Sequence, residues 1–195
     1  MEQVVASPCP MCNDPDGLRL RTHIDTIPYF GEHTQVTLLC MACGWRQTDL
    51  IPAEAVAPCA WSLAIDGAEA LTVRVVRSTG CTVRIPELDL EVAPGSSSTG
   101  YVSNVEGVLV RFSDVLDIVE RDLLPDETDA IATLQALRVA LAHAMLGRPV
   151  ETLTLELLDP TGRSAILSDD AAQRPLTEDE LAHLPLGPEV PVFSA

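Results

Sequence analysis

Residues 38–47 read LLCMACGWRQ, and upstream of them residues 7–14 read SPCPMCND. Each stretch contains two cysteines with two residues between them, so the first part of the chain has the pattern C-x2-C … C-x2-C. The cysteines are Cys9, Cys12, Cys40 and Cys43. Four thiolates with this spacing suit tetrahedral zinc, and four protein ligands leave no open coordination position. The pattern therefore predicts one structural Zn2+ ion and no catalytic metal.

The residue after each second cysteine is suited to a tight turn around sulfur. Gly44 adopts a positive backbone φ angle without steric cost, and Asn13 is one of the few non-glycine residues that tolerate it. We therefore expect two equivalent turns. Reduced core thiols or a redox dithiol are the alternatives for these cysteines, but neither explains why both pairs carry a turn residue.

Strand patterns fill the segment between the two cysteine pairs. Residues 18–24 alternate between mostly apolar and mostly basic side chains with the period of a half-buried strand, and TQVTLL at 34–39 runs into Cys40. We expect a β-hairpin that brings the cysteine pairs to one end. The segment DTIPYFGEH at 25–33 then forms a long tip that projects away from the metal.

The predicted tip carries an apolar group formed by Pro28, Tyr29 and Phe30. A ribbon of this size does not easily bury two aromatic rings, so the rings either pack on a second domain or anchor a partner protein. These three residues are the candidate partner-binding site.

A change in composition marks a domain boundary. The stretch IPAEAVAPC at 51–59 contains two prolines and several small residues, which is typical of a connection. We therefore divide the chain into a zinc ribbon, 1–54, and a second domain, 55–195. Three strand patterns follow the boundary, at 71–77, 81–85 and 88–92. Their close spacing indicates a β-sandwich or barrel.

Two helices are predicted inside the second domain. From Val105 to Leu124 apolar residues recur every three or four positions, and Ser103 with Glu106 has the spacing of a capping box. A second helix starts behind Asp126, so the two form a helical hairpin at about 104–147. The remaining predictions are a strand at 152–158, a type I turn at 159–162, a strand at 163–167 and a short helix that starts at Thr177.

Charge and composition limit the function classes. The formal net charge is −17, and all 12 basic residues are arginine. Such a surface repels phosphate, which argues against nucleic acid as a partner, although the composition can equally reflect the host. One basic cluster, Arg19, Arg21 and His23, keeps a zinc-ribbon protein that binds RNA or the ribosome as the alternative function.

The chain lacks the patterns of membrane and exported proteins. No run approaches the roughly 18 apolar residues of a membrane span, and the first residues do not form a signal peptide, so we expect a cytoplasmic protein. Cysteine pairs in a reducing compartment more often hold metal than form disulfides. Cys59 and Cys81 stand alone in the sequence and are expected to be small buried side chains.

Six sequence blocks occur in an order that resembles a known family. They are CPMC, IPYFGE, CMACGWR, VRIPELDLEV, STGYVSNVEGVL and LELLDPTGRSAI, and they run from about Cys9 to Leu167. In this order they resemble the module of the ZPR-one zinc-finger family, which occurs singly in archaea and as a tandem pair in eukaryotes. The four cysteines match the zinc ligands of the family without departure.

The resemblance implies a fold that is mainly β. An N-terminal zinc ribbon, similar to that of the translation initiation factor two beta subunit, precedes a double-stranded β-helix, or jelly-roll, domain with an inserted α-helical hairpin. Pattern residues of the family fall at Glu87, Asp89, Asp159 and Ser164, among others, with no assigned chemistry.

The resemblance also implies a partner. Eukaryotic members bind translation elongation factor one-alpha and assist its folding, so a chaperone or binding partner of that GTPase is the implied function. This chain has one module, so the receptor and nuclear roles of the tandem proteins do not carry over. No phosphate-binding loop, nucleophile elbow or catalytic triad is present in the sequence, and we expect an interaction factor that is not an enzyme.

Overall fold

The computed structural model describes residues 1–27, 31–53 and 57–187, which form a mainly β protein with a helical hairpin. The strands are β1 (Glu2–Val4), β2 (Leu18–Ile27), β3 (Gly31–Cys40), β4 (Arg46–Pro52), β5 (Cys59–Ile65), β6 (Arg74–Arg77), β7 (Thr82–Ile85), β8 (Leu90–Val92), β9 (Tyr101–Asn104), β10 (Leu153–Asp159), β11 (Ala165–Leu167) and β12 (Ala172–Pro175). The helices are α1 (Ala68–Leu71), α2 (Val105–Asp122), α3 (Thr128–Met145) and α4 (Glu178–His183), and a short 3-10 turn covers Pro86–Leu88.

The described strands form three antiparallel sheets. The first sheet has the order β1-β2-β3-β4 and contains the zinc ribbon. The other two have the orders β12-β5-β10-β7-β8 and β11-β6-β9, and together they form the jelly-roll. The predicted boundary near residue 55 falls at residues outside the description, while the strands of the ribbon sheet precede it and those of the jelly-roll follow it.

The ribbon is organised by the long hairpin of β2 and β3. The two strands pair over ten residues each, from Leu18 opposite Cys40 to Ile27 opposite Gly31. Strand pairing therefore continues into the segment 25–33, which was predicted to be a long tip. Strand β4 supports this pairing because it lies along the other side of β3 as far as His33. The candidate partner-binding residues Pro28, Tyr29 and Phe30 lie outside the described residues.

The main apolar core of the jelly-roll lies between its two sheets and the helical hairpin. Helix α2 buries one face, formed by Val105, Val108, Leu109, Phe112 and Leu116. These residues recur every three or four positions, which is the period of a helix face that packs on a core. The predicted helical hairpin is confirmed, since α2 and α3 pack against each other between β9 and β10.

Three local predictions were wrong. Asn104 caps α2 through a hydrogen bond from the Gly107 N–H, at 2.9 Å, because Ser103 is held in β9 opposite Val75. The strand predicted from residue 71 starts at Arg74, since the preceding residues form α1. The strand predicted over 88–92 is interrupted by Asp89, whose φ of 50° places it in the left-handed region.

Candidate metal centre

The four predicted cysteines meet at one end of the ribbon sheet. Their sulfur atoms all lie within 4.8 Å of one another, with 3.8 Å between the sulfurs of Cys9 and Cys43 and 3.7 Å between those of Cys12 and Cys40. Sulfurs at the corners of a tetrahedron around zinc, with Zn–S bonds of about 2.3 Å, are separated by about 3.8 Å. The four thiols therefore fit a tetrahedral zinc ion.

Each cysteine pair sits on a tight turn of the same form. In the first, the Asn13 N–H donates to the Cys9 carbonyl at 2.9 Å, and in the second the Gly44 N–H donates to the Cys40 carbonyl at 2.9 Å. The φ angles of Asn13 and Gly44 are 59° and 75°. The prediction of two matching turns with positive φ is confirmed.

The second turn is tied to the strands on both sides of it. The Cys40 N–H donates to the Trp45 carbonyl at 2.8 Å, which closes the second turn at the start of β4. The Met41 N–H donates across to the Gly17 carbonyl at 2.8 Å, beside the first residue of β2. The strands thus place the first cysteine of each pair in the buried end of the sheet, while Cys12 and Cys43 face solvent.

The ionisation of the thiols shows why this cluster needs a cation. Desolvation, the largest influence on Cys9, raises its pKa, but the N–H groups of Cys12 and Met11 outweigh it and lower the pKa of Cys9 to about 7. At Cys12 the N–H of Asp14 acts in the lowering direction, yet burial and the neighbouring sulfurs raise the pKa to about 12. Like charges this close disfavour one another, so four thiolates are stable together only around a metal ion.

Among the residues that the structure describes, these cysteines are the one group of at least three metal-binding side chains. The other two cysteines are buried in the jelly-roll, as predicted, and burial raises the pKa of both thiols, that of Cys81 to about 12. His23 and Asp25 do not belong to this group, since they lie on the exposed part of β2, with 4.0 Å between the Nε2 and Oδ2 atoms.

The zinc ion is structural, because the four cysteines provide four protein ligands and leave no open position.

The arginines of the predicted basic cluster on β2 have local hydrogen-bond partners, and one of them is paired with a carboxylate. Arg21 forms an ion pair with Glu2 of β1, with 2.8 Å between Nε and Oε2. Arg19 donates from Nη1 to the carbonyls of Asp16 and Leu18, at 3.0 and 3.1 Å. The edge strand β1, which sequence patterns did not predict, thus places a carboxylate beside one of the two arginines that the RNA alternative requires.

Asp49 joins the ribbon to the jelly-roll. It is 1% exposed, and its carboxylate accepts a hydrogen bond from the Thr79 N–H at 3.1 Å and pairs with Arg163 at 3.3 Å. Beside it the Gly100 N–H donates to the Thr48 carbonyl at 2.6 Å. No local pattern in the sequence marks Asp49, because its partners lie far away along the chain.

Pattern residues of the family support the jelly-roll turns. Asp159, which is fully buried, accepts hydrogen bonds from the hydroxyls of Ser78 and Ser164 at 2.8 and 2.5 Å. Glu87 accepts from the N–H and the hydroxyl of Thr154 at 2.9 and 2.7 Å. These carboxylates satisfy polar groups at the ends of strands, which is a structural role.

Comparison with known proteins agrees with the zinc ribbon and the jelly-roll. Residues 69–182 match the family model of the ZPR1 jelly-roll domain, more than half of the chain. A ZPR1-like protein of Methanocaldococcus jannaschii is 36% identical over 187 residues, which cover 96% of this chain and 92% of the relative. The chain belongs to the ZPR1, or ZPR-one, family.

Other ZPR1 relatives show where this chain stands within the family. A ZPR1-like protein of Pyrococcus horikoshii is 33% identical over 192 residues, covering 97% of this chain and 85% of the relative. The zinc finger chaperone zpr1 of Schizosaccharomyces pombe is 28% identical over 165 residues, covering 80% of this chain but 34% of the relative. The chain thus corresponds to most of the length of the two archaeal relatives and to about one third of the fission yeast protein. Among its described residues, no helix has the length and apolar character needed to cross a membrane.

Proposed function

We propose that this ZPR1 protein is a zinc-stabilised interaction factor that binds translation elongation factor one-alpha and assists its folding, and that it acts by binding and not by catalysis. The observation that carries the proposal is the closed zinc site at the base of the β2–β3 hairpin. Four protein ligands leave no coordination position for a substrate, so the metal serves to hold the hairpin in shape.

The ribbon also has the form of a presented surface. Its two central strands run ten residues away from the cysteines, and Asp49 fixes the adjacent strand to the jelly-roll. A fixed hairpin binds with a smaller loss of conformational entropy than a loose loop. The choice of partner rests on the family resemblance and on the chaperone name of the fission yeast relative.

The charge of the surface favours a protein partner over RNA. The net charge is −17, and Arg21 of β2 is already paired with Glu2. RNA binding depends on unpaired cations and falls steeply with salt. We therefore expect the protein to bind an elongation factor at physiological salt. We place the protein in the cytoplasm, because that factor works there.

The test is a titration of the purified zinc-loaded chain with purified elongation factor one-alpha from the same host. The double variant Tyr29→Ala plus Phe30→Ala removes the two aromatic rings of the candidate site. We expect it to weaken binding about tenfold or more, as loss of an aromatic anchor does. The matched control is Leu146→Ala plus Val150→Ala, which removes two strongly exposed apolar side chains elsewhere and should leave binding unchanged.

Two outcomes would overturn the proposal. The first is no measurable binding of the elongation factor. The second is salt-sensitive binding of RNA that is lost in the double variant Arg19→Gln plus Arg21→Gln, which would favour the RNA-binding or ribosome-binding alternative.

A further inference from the structure

The jelly-roll contains a cavity of about 380 Å³ that lies between strands of both of its sheets and helix α2. Its residues are distant in the chain from the four zinc-binding cysteines. Its apolar wall is formed by Val83, Val92, Val108, Phe112 and Val115. Its polar side includes Arg77, Tyr101 and Arg111. Cavities of a few hundred Å³ with an apolar wall and a few converging polar groups are typical of sites for small ligands.

Arg77 brings a buried positive charge to this cavity. The residue is 7% exposed, and its guanidinium donates to the Cys81 carbonyl from Nε at 3.1 Å and from Nη2 at 2.7 Å. The Nη1 group donates to the Ser98 hydroxyl at 2.9 Å and to the Thr99 carbonyl at 3.2 Å. None of these acceptors carries a charge. A buried cation without an opposite charge is costly, so the site gains stability when an anion binds.

The hydrogen bonds of Arg77 also leave donor capacity. An arginine side chain has five N–H groups, and the four hydrogen bonds above use four of them. The remaining N–H belongs to Nη2. Because the other bonds fix the guanidinium, this donor is held in place before a ligand arrives, which lowers the entropic cost of binding.

Tyr101 brings a second arginine to the same place. The Cζ atom of Arg111 lies 4.2 Å from the centre of the Tyr101 ring, and that of Arg77 lies 5.7 Å from it, both within the range of cation–π contacts. Among the described residues, the ion pairs include neither arginine. Burial raises the pKa of Tyr101 against the effect of both arginines, so its hydroxyl stays neutral.

One carboxylate opposes an anion in this cavity. Asp114 belongs to the lining and lies three residues after Arg111 on α2, but it is exposed, so water screens its charge more than that of buried Arg77. The net charge of the whole chain also repels anions from a distance. At physiological salt this field is screened beyond about 8 Å, and the charges that line the cavity dominate.

We propose that this cavity binds a carboxylate that is attached to a short apolar or aromatic group. The carboxylate accepts a hydrogen bond from the remaining Nη2 N–H of Arg77 and pairs with the guanidinium of Arg111. The apolar part packs against the valines and Phe112. Such a ligand is either a free small acid or the C-terminal residue of a peptide, and the chemistry at the arginines is the same for both.

The experiment uses the purified full-length, zinc-loaded chain and two matched probes, phenylacetate and the neutral phenylacetamide, titrated by NMR. We expect phenylacetate to bind about tenfold or more tightly than phenylacetamide, because hydrogen bonds between charged groups are the stronger ones. Arg111→Gln should weaken phenylacetate binding about tenfold and leave the spectrum of the folded protein otherwise unchanged, since this side chain is exposed. The control Arg121→Gln changes another exposed arginine of α2 outside the cavity and should have no effect.

A second pair of probes distinguishes the source of the carboxylate. If the tripeptide Gly-Gly-Phe binds more tightly than phenylacetate, and its C-terminal amide does not bind, the ligand is a peptide C-terminus, and the reverse order indicates a free small acid. The proposal is overturned if acid and amide bind equally, if Arg111→Gln keeps full affinity, or if neither acid binds at concentrations up to about 10 mM.

Discussion

The zinc ribbon and the jelly-roll are both antiparallel β structures, but different interactions hold them together. Among the described residues, the main core of the jelly-roll contains twenty buried residues from both sheets and the helices. The core of the ribbon contains seven, and two of these, Cys9 and Cys40, are zinc ligands. That cluster therefore has five side chains with no role other than packing. Ile27 and Leu50 of the ribbon are also buried, but they pack with Val76 of the jelly-roll.

This difference teaches where the metal is needed. Domains of fewer than about 60 residues bury a small share of their surface, and a structural metal can supply the missing stability. Zinc binding contributes about 10 to 16 kcal/mol in zinc-finger peptides. We infer that the ribbon depends on zinc and that the jelly-roll depends on its core, and four substitutions test this contrast.

The largest effect is expected from a matched pair of cysteine substitutions. Cys40→Ser and Cys81→Ser change two fully buried thiols, one in each region. Cys40→Ser should release the zinc ion and unfold the ribbon, with a loss of up to about 10 kcal/mol of metal-linked folding free energy. Cys81→Ser should keep one zinc per chain and lower the free energy of unfolding by about 1 to 2 kcal/mol. Metal analysis with thermal unfolding measures both, and retention of zinc by Cys40→Ser contradicts the contrast.

A matched pair of leucines tests the apolar cores. Leu109 is fully buried under the jelly-roll sheets, and Leu38 is buried in the ribbon. Leu109→Ala should lower the free energy of unfolding by about 3 to 5 kcal/mol without loss of zinc, since it leaves a cavity in the larger core. Leu38→Ala should cost about 2 to 3 kcal/mol, because the small ribbon core collapses more easily around the gap. Denaturant unfolding in the presence of zinc measures the free energy of unfolding of both variants. A larger loss in Leu38→Ala than in Leu109→Ala would contradict the inference that the jelly-roll depends more on its apolar core.

Asp49→Ala tests how the two regions are joined. The substitution leaves the buried Thr79 N–H and the partly exposed Arg163 guanidinium without their partner, which should cost about 2 to 3 kcal/mol. We also expect the single unfolding transition to split, so that the ribbon melts first. Arg163→Gln removes the one-third exposed partner but leaves the hydrogen bond from the Thr79 N–H to buried Asp49, so it should cost about 1 to 2 kcal/mol, less than Asp49→Ala. A single transition in Asp49→Ala would show that this contact does not couple the regions.

The smallest effect is expected at the cap of helix α4. The Arg174 guanidinium donates to the Glu180 carboxylate from Nη2 at 2.6 Å and from Nη1 at 2.7 Å. These hydrogen bonds are the largest cause that lowers the pKa of Glu180 to about 2. A carboxyl has a pKa of about 4.3 in the unfolded chain, so its stabilising effect is fully present above that value and is lost as the pH falls through 2.

Glu180→Gln measures this effect. It should lower the free energy of unfolding by about 0.5 to 1 kcal/mol at pH 7, and the difference from the unchanged protein should shrink steadily between about pH 4 and pH 2. A difference that is independent of pH would contradict the role of the charged carboxylate. Glu178→Gln, at an exposed position of the same helix, is the control.

The cysteine pattern and the long periodic elements could be predicted from the sequence because their signals are local. The turns at Asn13 and Gly44, the face of α2 and the capping box of Thr177 with Glu180 each depend on residues a few positions apart. The structure places all of them as the spacing indicates.

The remaining features depend on contacts between residues that are distant in the chain. Strand β1 has three exposed residues, so it carries no alternation, and only its pairing with β2 makes it a strand. Asp49 resembles any other charged strand residue until Thr79 and Arg163 fold against it. Arg77 likewise reads as the charged end of a strand, although in the fold it is buried beside Tyr101.

Hydrogen–deuterium exchange of the full-length chain, with and without a zinc chelator, tests most directly whether the two regions differ in what stabilises them. We predict that zinc removal abolishes the protection of the amides in β2 and β3, while the amides of β5, β10 and α2 keep theirs. Unchanged protection of β2 and β3 in the zinc-free protein, or an equal loss of protection in both regions, would contradict this prediction.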